Sequence, residues 1–141
     1  MKFQHVKQKH EFGCAIACMA MVLGKKYDEI AGQFHTDFSV DGLKHEHITG
    51  YVCDHGFALV HKSAGGHGDV KTSNRRMITP FADIHIVSAQ PWADAEMNHC
   101  FVLDKRGRIF DPQHDTRPDF REYYYIHSVL GFFDERQPRR E

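Results

Sequence analysis

The sequence lacks a long hydrophobic run. Its longest, Cys14–Leu23, covers ten residues, about half of what a helix needs to cross a bilayer. The opening Met-Lys-Phe-Gln-His-Val-Lys-Gln-Lys-His holds no apolar segment of the kind a secretory leader requires. A soluble, cytoplasmic chain without a membrane span is therefore the expectation. Charge of one sign is also missing: 18 Lys and Arg oppose 19 Asp and Glu, for a formal net charge of −1. That balance gives no general attraction to nucleic acid, so no nucleic-acid partner is expected. Trp92 and Tyr123-Tyr124-Tyr125 have no regularly interleaved basic residues, which removes the usual base-stacking platform.

Metal-ligand spacing is absent as well. The chain contains no Cys-x-x-Cys, no His-x-x-x-His and no His-Glu-x-x-His. His45 and His47 would project about 200° apart on a helix, too far to share an ion. No metal and no cofactor is expected. The four cysteines, Cys14, Cys18, Cys53 and Cys100, are expected as reduced thiols in an intracellular chain. There is no repeat and no low-complexity segment. With 41% hydrophobic and 26% charged residues, positions 1–141 fit one ordinary domain, closed by a charged tail over 134–141. The one surplus is histidine: twelve residues that gain positive charge below about pH 6.5.

What is present reads as helices first and strands afterwards. Cys14–Leu23 has no charged side chain, is rich in good helix formers, and lies between Gly13 and Gly24. A helix apolar on every side has to be enclosed on every side, so a central buried helix is expected with Cys14 in its first turn. A short helix is expected over Asp28–Phe34. Another should follow Ser39-Val40-Asp41, carry Leu43, Ile48, Tyr51 and Val52, and stop at Gly56. Phe57–Val60, Ile84–Val87 and Tyr123–Ile126 read as strands, and Ser63–Asp69 as a loop. Cys100–Asp104 and Arg108–Asp111, joined through Lys105-Arg106-Gly107, read as a hairpin. The fold class is α+β, the buried N-terminal helix packing on an antiparallel sheet.

The chemistry gathers around Cys14. A cysteine attacks as thiolate, and the start of a helix offers partial positive charge and free N–H groups that favour the anion. The same groups can hold an oxyanion, and the side-chain amide of Gln8, six residues earlier, can supply a second donor. His99 opens the first hairpin strand and Asp111 ends the second, so a cross-strand contact is natural. Asp111 would then orient one ring nitrogen of His99 and leave the other for Cys14. Taken singly, each of these residues has an ordinary structural explanation. Their conjunction carries the reading.

The order Gln8, Cys14, His99, Asp111 resembles the papain-like cysteine peptidases. The segments Gln8-Lys9-His10-Glu11-Phe12-Gly13-Cys14-Ala15-Ile16-Ala17-Cys18 and Asn98-His99-Cys100-Phe101-Val102-Leu103, with Asp111-Pro112, are most similar to the bacteriocin-processing, double-glycine-leader peptidases and their stand-alone relatives. The resemblance implies a papain-like fold, a bacterial thiol hydrolase, and a peptide or protein substrate. It also implies Cys14 as nucleophile, His99 as proton shuttle, Asp111 as its orienter and Gln8 as oxyanion donor. Gly13 and Ala15 depart from the residues usual beside that family's cysteine, so leader specificity is not carried over. The same acyl-enzyme serves acyltransferases, deamidases and transglutaminases, and a non-catalytic binding module is a further alternative. Cys18, one turn after Cys14, is expected to pack. Cys53 and Cys100 are expected in the core, Cys100 on the strand face opposite His99. Gly65-Gly66 reads as a turn.

Overall fold

A computed structural model describes residues 4–64, 80–90, 98–113 and 125–136. Among them, three helices precede five strands: α1 (Cys14–Leu23), α2 (Tyr27–Ala31), α3 (His45–Asp54), β1 (Phe57–Ala64), β2 (Ile84–Gln90), β3 (His99–Asp104), β4 (Ile109–Phe110) and β5 (Tyr125–Asp134). The strands make one antiparallel sheet in the order β1-β5-β2-β3-β4. This is a mixed α+β arrangement.

α1 is the centre of the core. Every residue from Ala15 to Leu23 is buried, as its uninterrupted apolar sequence demands. The helix stops at Gly24, whose left-handed backbone (φ 68°) lets its N–H return to the Ala20 carbonyl. α1 packs on β3 and touches both α2 and α3. On that face of the sheet it meets Ile84, Ile86, Cys100, Val102, Leu130 and Phe132. The opposite face buries a second cluster: Val87, Ala89, Phe101, Leu103, Ile109, Ile126 and Val129. Adjacent strand residues thus serve opposite faces, and burying each large side chain contributes about 1.5–3 kcal/mol.

The strands run further than composition indicates. β1 continues through Ser63 and Ala64, the first residues of the expected loop; the rest of that loop, with Gly65-Gly66, lies outside the described residues. β5 begins at Tyr125 and reaches Asp134, far beyond the short strand expected around Tyr123–Ile126. A bulge explains why its pattern is hard to read. Ser88 pairs with Ser128 but Ala89 pairs with Ile126, so the extra residue His127 breaks the alternation. The start of the expected tail is also bound into the fold. Asp134 closes β5, Glu135 donates its N–H to the Gly56 carbonyl at 2.9 Å, and Arg136 donates to the Leu23 carbonyl at 2.8 Å. The Arg136 guanidinium also lies 4.6 Å from the centre of the Phe57 ring. Residues 137–141 lie outside the described residues.

Candidate active site

Cys14 is the first residue of α1, half-buried, where the helix presents N–H groups with no intrahelical acceptor. Gly13 precedes it without a side-chain cap. The need for glycine there is steric: a Cβ on Gly13 would overlap the hydroxyl of Tyr27. That hydroxyl meets His10 Nδ1 at 2.9 Å. Tyr27, from α2, thereby clamps the turn that delivers Cys14. A larger residue before the cysteine would displace the clamp.

The hairpin supplies the second half of the site. Val102 pairs with Phe110 and Leu103 with Ile109, a register that sets Asp111 diagonal to His99. Its turn is held by Asp104, whose Oδ1 accepts from the N–H groups of Arg106 and Arg108 at 3.0 and 2.8 Å. At the open end, His99 Nε2–H donates to Asp111 Oδ1 at 2.7 Å, and the Gln113 N–H adds a second bond to the same oxygen at 2.8 Å. Asp111 is wholly buried and His99 nearly so. The N-terminal segment is laced to this pair, since His5 Nε2–H donates to the Asp111 carbonyl at 2.6 Å and the Gln8 N–H to the Pro112 carbonyl at 3.0 Å.

With Nε2 committed to Asp111, Nδ1 is the ring nitrogen left for Cys14. Thiol and imidazole act on each other in opposite directions. Burial presses the His99 imidazole towards neutrality, but hydrogen bonds to Asp111 and Cys14 prevail and raise it from 6.5 to about 9. The Cys14 thiol is held well below its ordinary value, first by a hydrogen bond from the Cys100 side chain, against the cost of burial, and then by His99. Cys100 moves the other way. Its interaction with the Cys14 sulfur and its own burial push its thiol well up, so it stays protonated and donates. Cys18 is enclosed in the core, and burial together with the charges on Cys14 and Asp111 pushes it up as well. The site therefore favours a thiolate at Cys14 beside an imidazolium at His99.

Gln8 occupies a different position from a free oxyanion donor. Its Nε2 donates to the carbonyls of His10 and Glu11 at 3.0 and 2.9 Å, bracing the turn before Cys14. Its Oε1 is enclosed and has no hydrogen-bond partner among the described residues. The structure thus joins His99 to Asp111 by a buried hydrogen bond and sets Cys14 at the start of α1, with Gln8 bracing the turn before the cysteine.

Three contributors escape sequence reasoning: Cys100 as a partner of Cys14, Tyr27 as a clamp and His5 as a tie to Asp111. Strand alternation does put Cys100 on the face that meets α1, so its orientation was readable although its partner was not. Tyr27 and His5 carry no spacing signal at all. Among the described residues, no group of three or more His, Cys, Asp or Glu side chains is arranged to hold a metal ion, and no helix is long and apolar enough to cross a membrane. No protein-family model matches the chain, and no curated protein sequence matches it.

Proposed function

We propose that the chain is a thiol hydrolase of papain-like arrangement, most simply a cysteine peptidase acting on a peptide or protein. The observation that supports it best is the buried His99–Asp111 contact of 2.7 Å next to a cysteine at the start of an apolar helix. In this reading the Cys14 thiolate attacks a carbonyl carbon, and the developing oxyanion is met by the uncapped N–H groups of the first helical turn. His99, as imidazolium, gives its proton to the leaving amine and leaves an acyl-enzyme on Cys14. Neutral His99 then takes a proton from water, which releases the carboxylate. Asp111 keeps the ring in the orientation both steps need. Gln8 joins the oxyanion donors once it surrenders one of its two carbonyl contacts to the arriving substrate.

Turnover of a fluorogenic peptide library tests this reading. Hydrolysis by the unsubstituted chain, abolished in Cys14→Ser and lowered on the order of 10²–10⁴-fold in His99→Ala, is the expected result. Equal turnover by Cys14→Ser would reject it. An acyl-enzyme released only by an added amine, never by water, would reject hydrolysis in favour of acyl transfer.

A further inference from the structure

The sequence is rich in histidine, and one of the twelve is sealed into the sheet. His85 in β2 is completely buried. Its Nδ1–H donates to the Leu103 carbonyl at 2.9 Å. Its Nε2 accepts the backbone N–H groups of Phe81 and Ala82, both at 3.0 Å. A carbonyl can only accept and an amide N–H can only donate, so these three partners fix the ring as neutral, with its hydrogen on Nδ1. The ring thereby fastens the segment that enters β2. Phe81 completes the contact, since its ring meets His85 edge-on at 4.8 Å and the His61 ring of β1 at 5.2 Å. Between the two histidines lies Gly131 of β5, which pairs with both, and a Cβ there would overlap the Phe81 ring. Hydrolysis uses none of these residues.

We infer that His85 is an acid-sensitive latch: one proton on Nε2 expels the Phe81 and Ala82 N–H groups, frees the segment before β2 and lifts Phe81 off Gly131, while the rest of the sheet stays folded. The step is uptake of a proton from solvent. Imidazolium carries a hydrogen on both nitrogens, so its Nε2–H would point at two other donors, and a buried donor without an acceptor is costly. Two carboxylates act on the ring. Asp83 follows the latched residues and accepts the Asp134 N–H at 3.0 Å. Asp104 ends β3 and is bonded to Arg108 at 2.6 Å. His61 of β1 stands across Phe81, and β5 contributes Gly131, which has no side chain. Burial holds the ring below its ordinary value of 6.5, and it prevails over the Leu103 carbonyl and the charges of Asp104 and Asp83, which favour a proton. The latch is therefore complete above about pH 6.5 and is lost as pH falls through the lower folded value. It is independent of the chemistry at Cys14.

The test follows backbone amide exchange of the full, isotope-labelled chain by NMR from about pH 7.5 to about pH 4.5, corrected for the intrinsic pH dependence of exchange. Protection of Phe81 and Ala82 should fall about tenfold for each pH unit below the midpoint of the ring, as release by a single proton requires, while the amides of β3 keep theirs. His85→Gln offers an oxygen to both N–H groups and takes up no proton, so it should keep the two amides protected over the whole range. His61→Phe should leave the loss where it was, which assigns it to His85. The His85 ring signals in the unsubstituted chain give a second readout that does not depend on a variant folding, and their midpoint should lie below 6.5 and coincide with the amide loss. The latch is overturned if Phe81 and Ala82 stay protected to the acid end of the range, or lose protection only together with β3. It is equally overturned if the ring titrates at a different pH from the amide loss, or if folded His85→Gln loses the two amides as the unsubstituted chain does.

Discussion

At His99, burial and hydrogen bonding pull the same imidazole in opposite directions, and the partners decide the outcome. Because its folded value of about 9 lies above the ordinary 6.5, the favourable contribution of the protonated ring is complete below about pH 6.5 and is lost as pH rises through about 9. Peptide turnover, which needs imidazolium as acid, should therefore fall along an alkaline limb near pH 9 that belongs to the Cys14–His99 pair as a unit. Asp111→Asn removes the carboxylate and should move that limb to lower pH while lowering turnover. An unmoved limb would show that Asp111 does not set the state of His99. Gly13 gives a second prediction at this scale. Gly13→Ala forces the Tyr27 hydroxyl aside and should slow Cys14 alkylation, and adding Tyr27→Phe, which removes the obstructing oxygen, should restore part of the rate. Failure of that rescue would separate the clamp from the nucleophile's placement.

At the scale of elements, α1 and the β3–β4 hairpin do most to position the site. Met19 and Ile16 of α1 are fully enclosed in the core. Met19→Ala should cost about 2–5 kcal/mol, read from urea denaturation, through lost transfer energy and the cavity left behind. Arg136 closes the far end of the same helix, bonding the Leu23 carbonyl where the helix dipole is negative. Arg136→Ala should cost about 1–2 kcal/mol with the Cys14 alkylation rate unchanged, because it acts at the opposite end from the site. These elements also show what the sequence could and could not reveal. α1 was readable because an unbroken apolar run between glycines has few alternatives, and the hairpin because Gly107 lies in a short polar turn between two apolar runs. β5 was not, since the bulge at His127 resets the alternation and places Ile126 and Val129 on one face despite their spacing. The short α2 begins and ends within two or three residues of its expected span, as weakly patterned helices do.

Across the whole molecule, the site is assembled from segments far apart in sequence. His5 and Gln8 tie the N-terminal segment to Asp111-Pro112, Tyr27 fixes the turn before Cys14, and β3 carries both His99 and Cys100. Cys14, His99 and Asp111 were legible because each has a positional reason to be reactive or paired. The supporting residues were not, since their roles arise only from long-range packing that local patterning does not encode. On the proposed reading this packing makes Cys14 a thiolate at neutral pH, and the alkylation rate of Cys14 as a function of pH reports that charge state. Rapid labelling should persist well below the ordinary thiol value of about 8.5 and should slow near neutrality in His99→Ala. A rate that instead follows a single ionisation at or above that value, indifferent to His99, would contradict the claim.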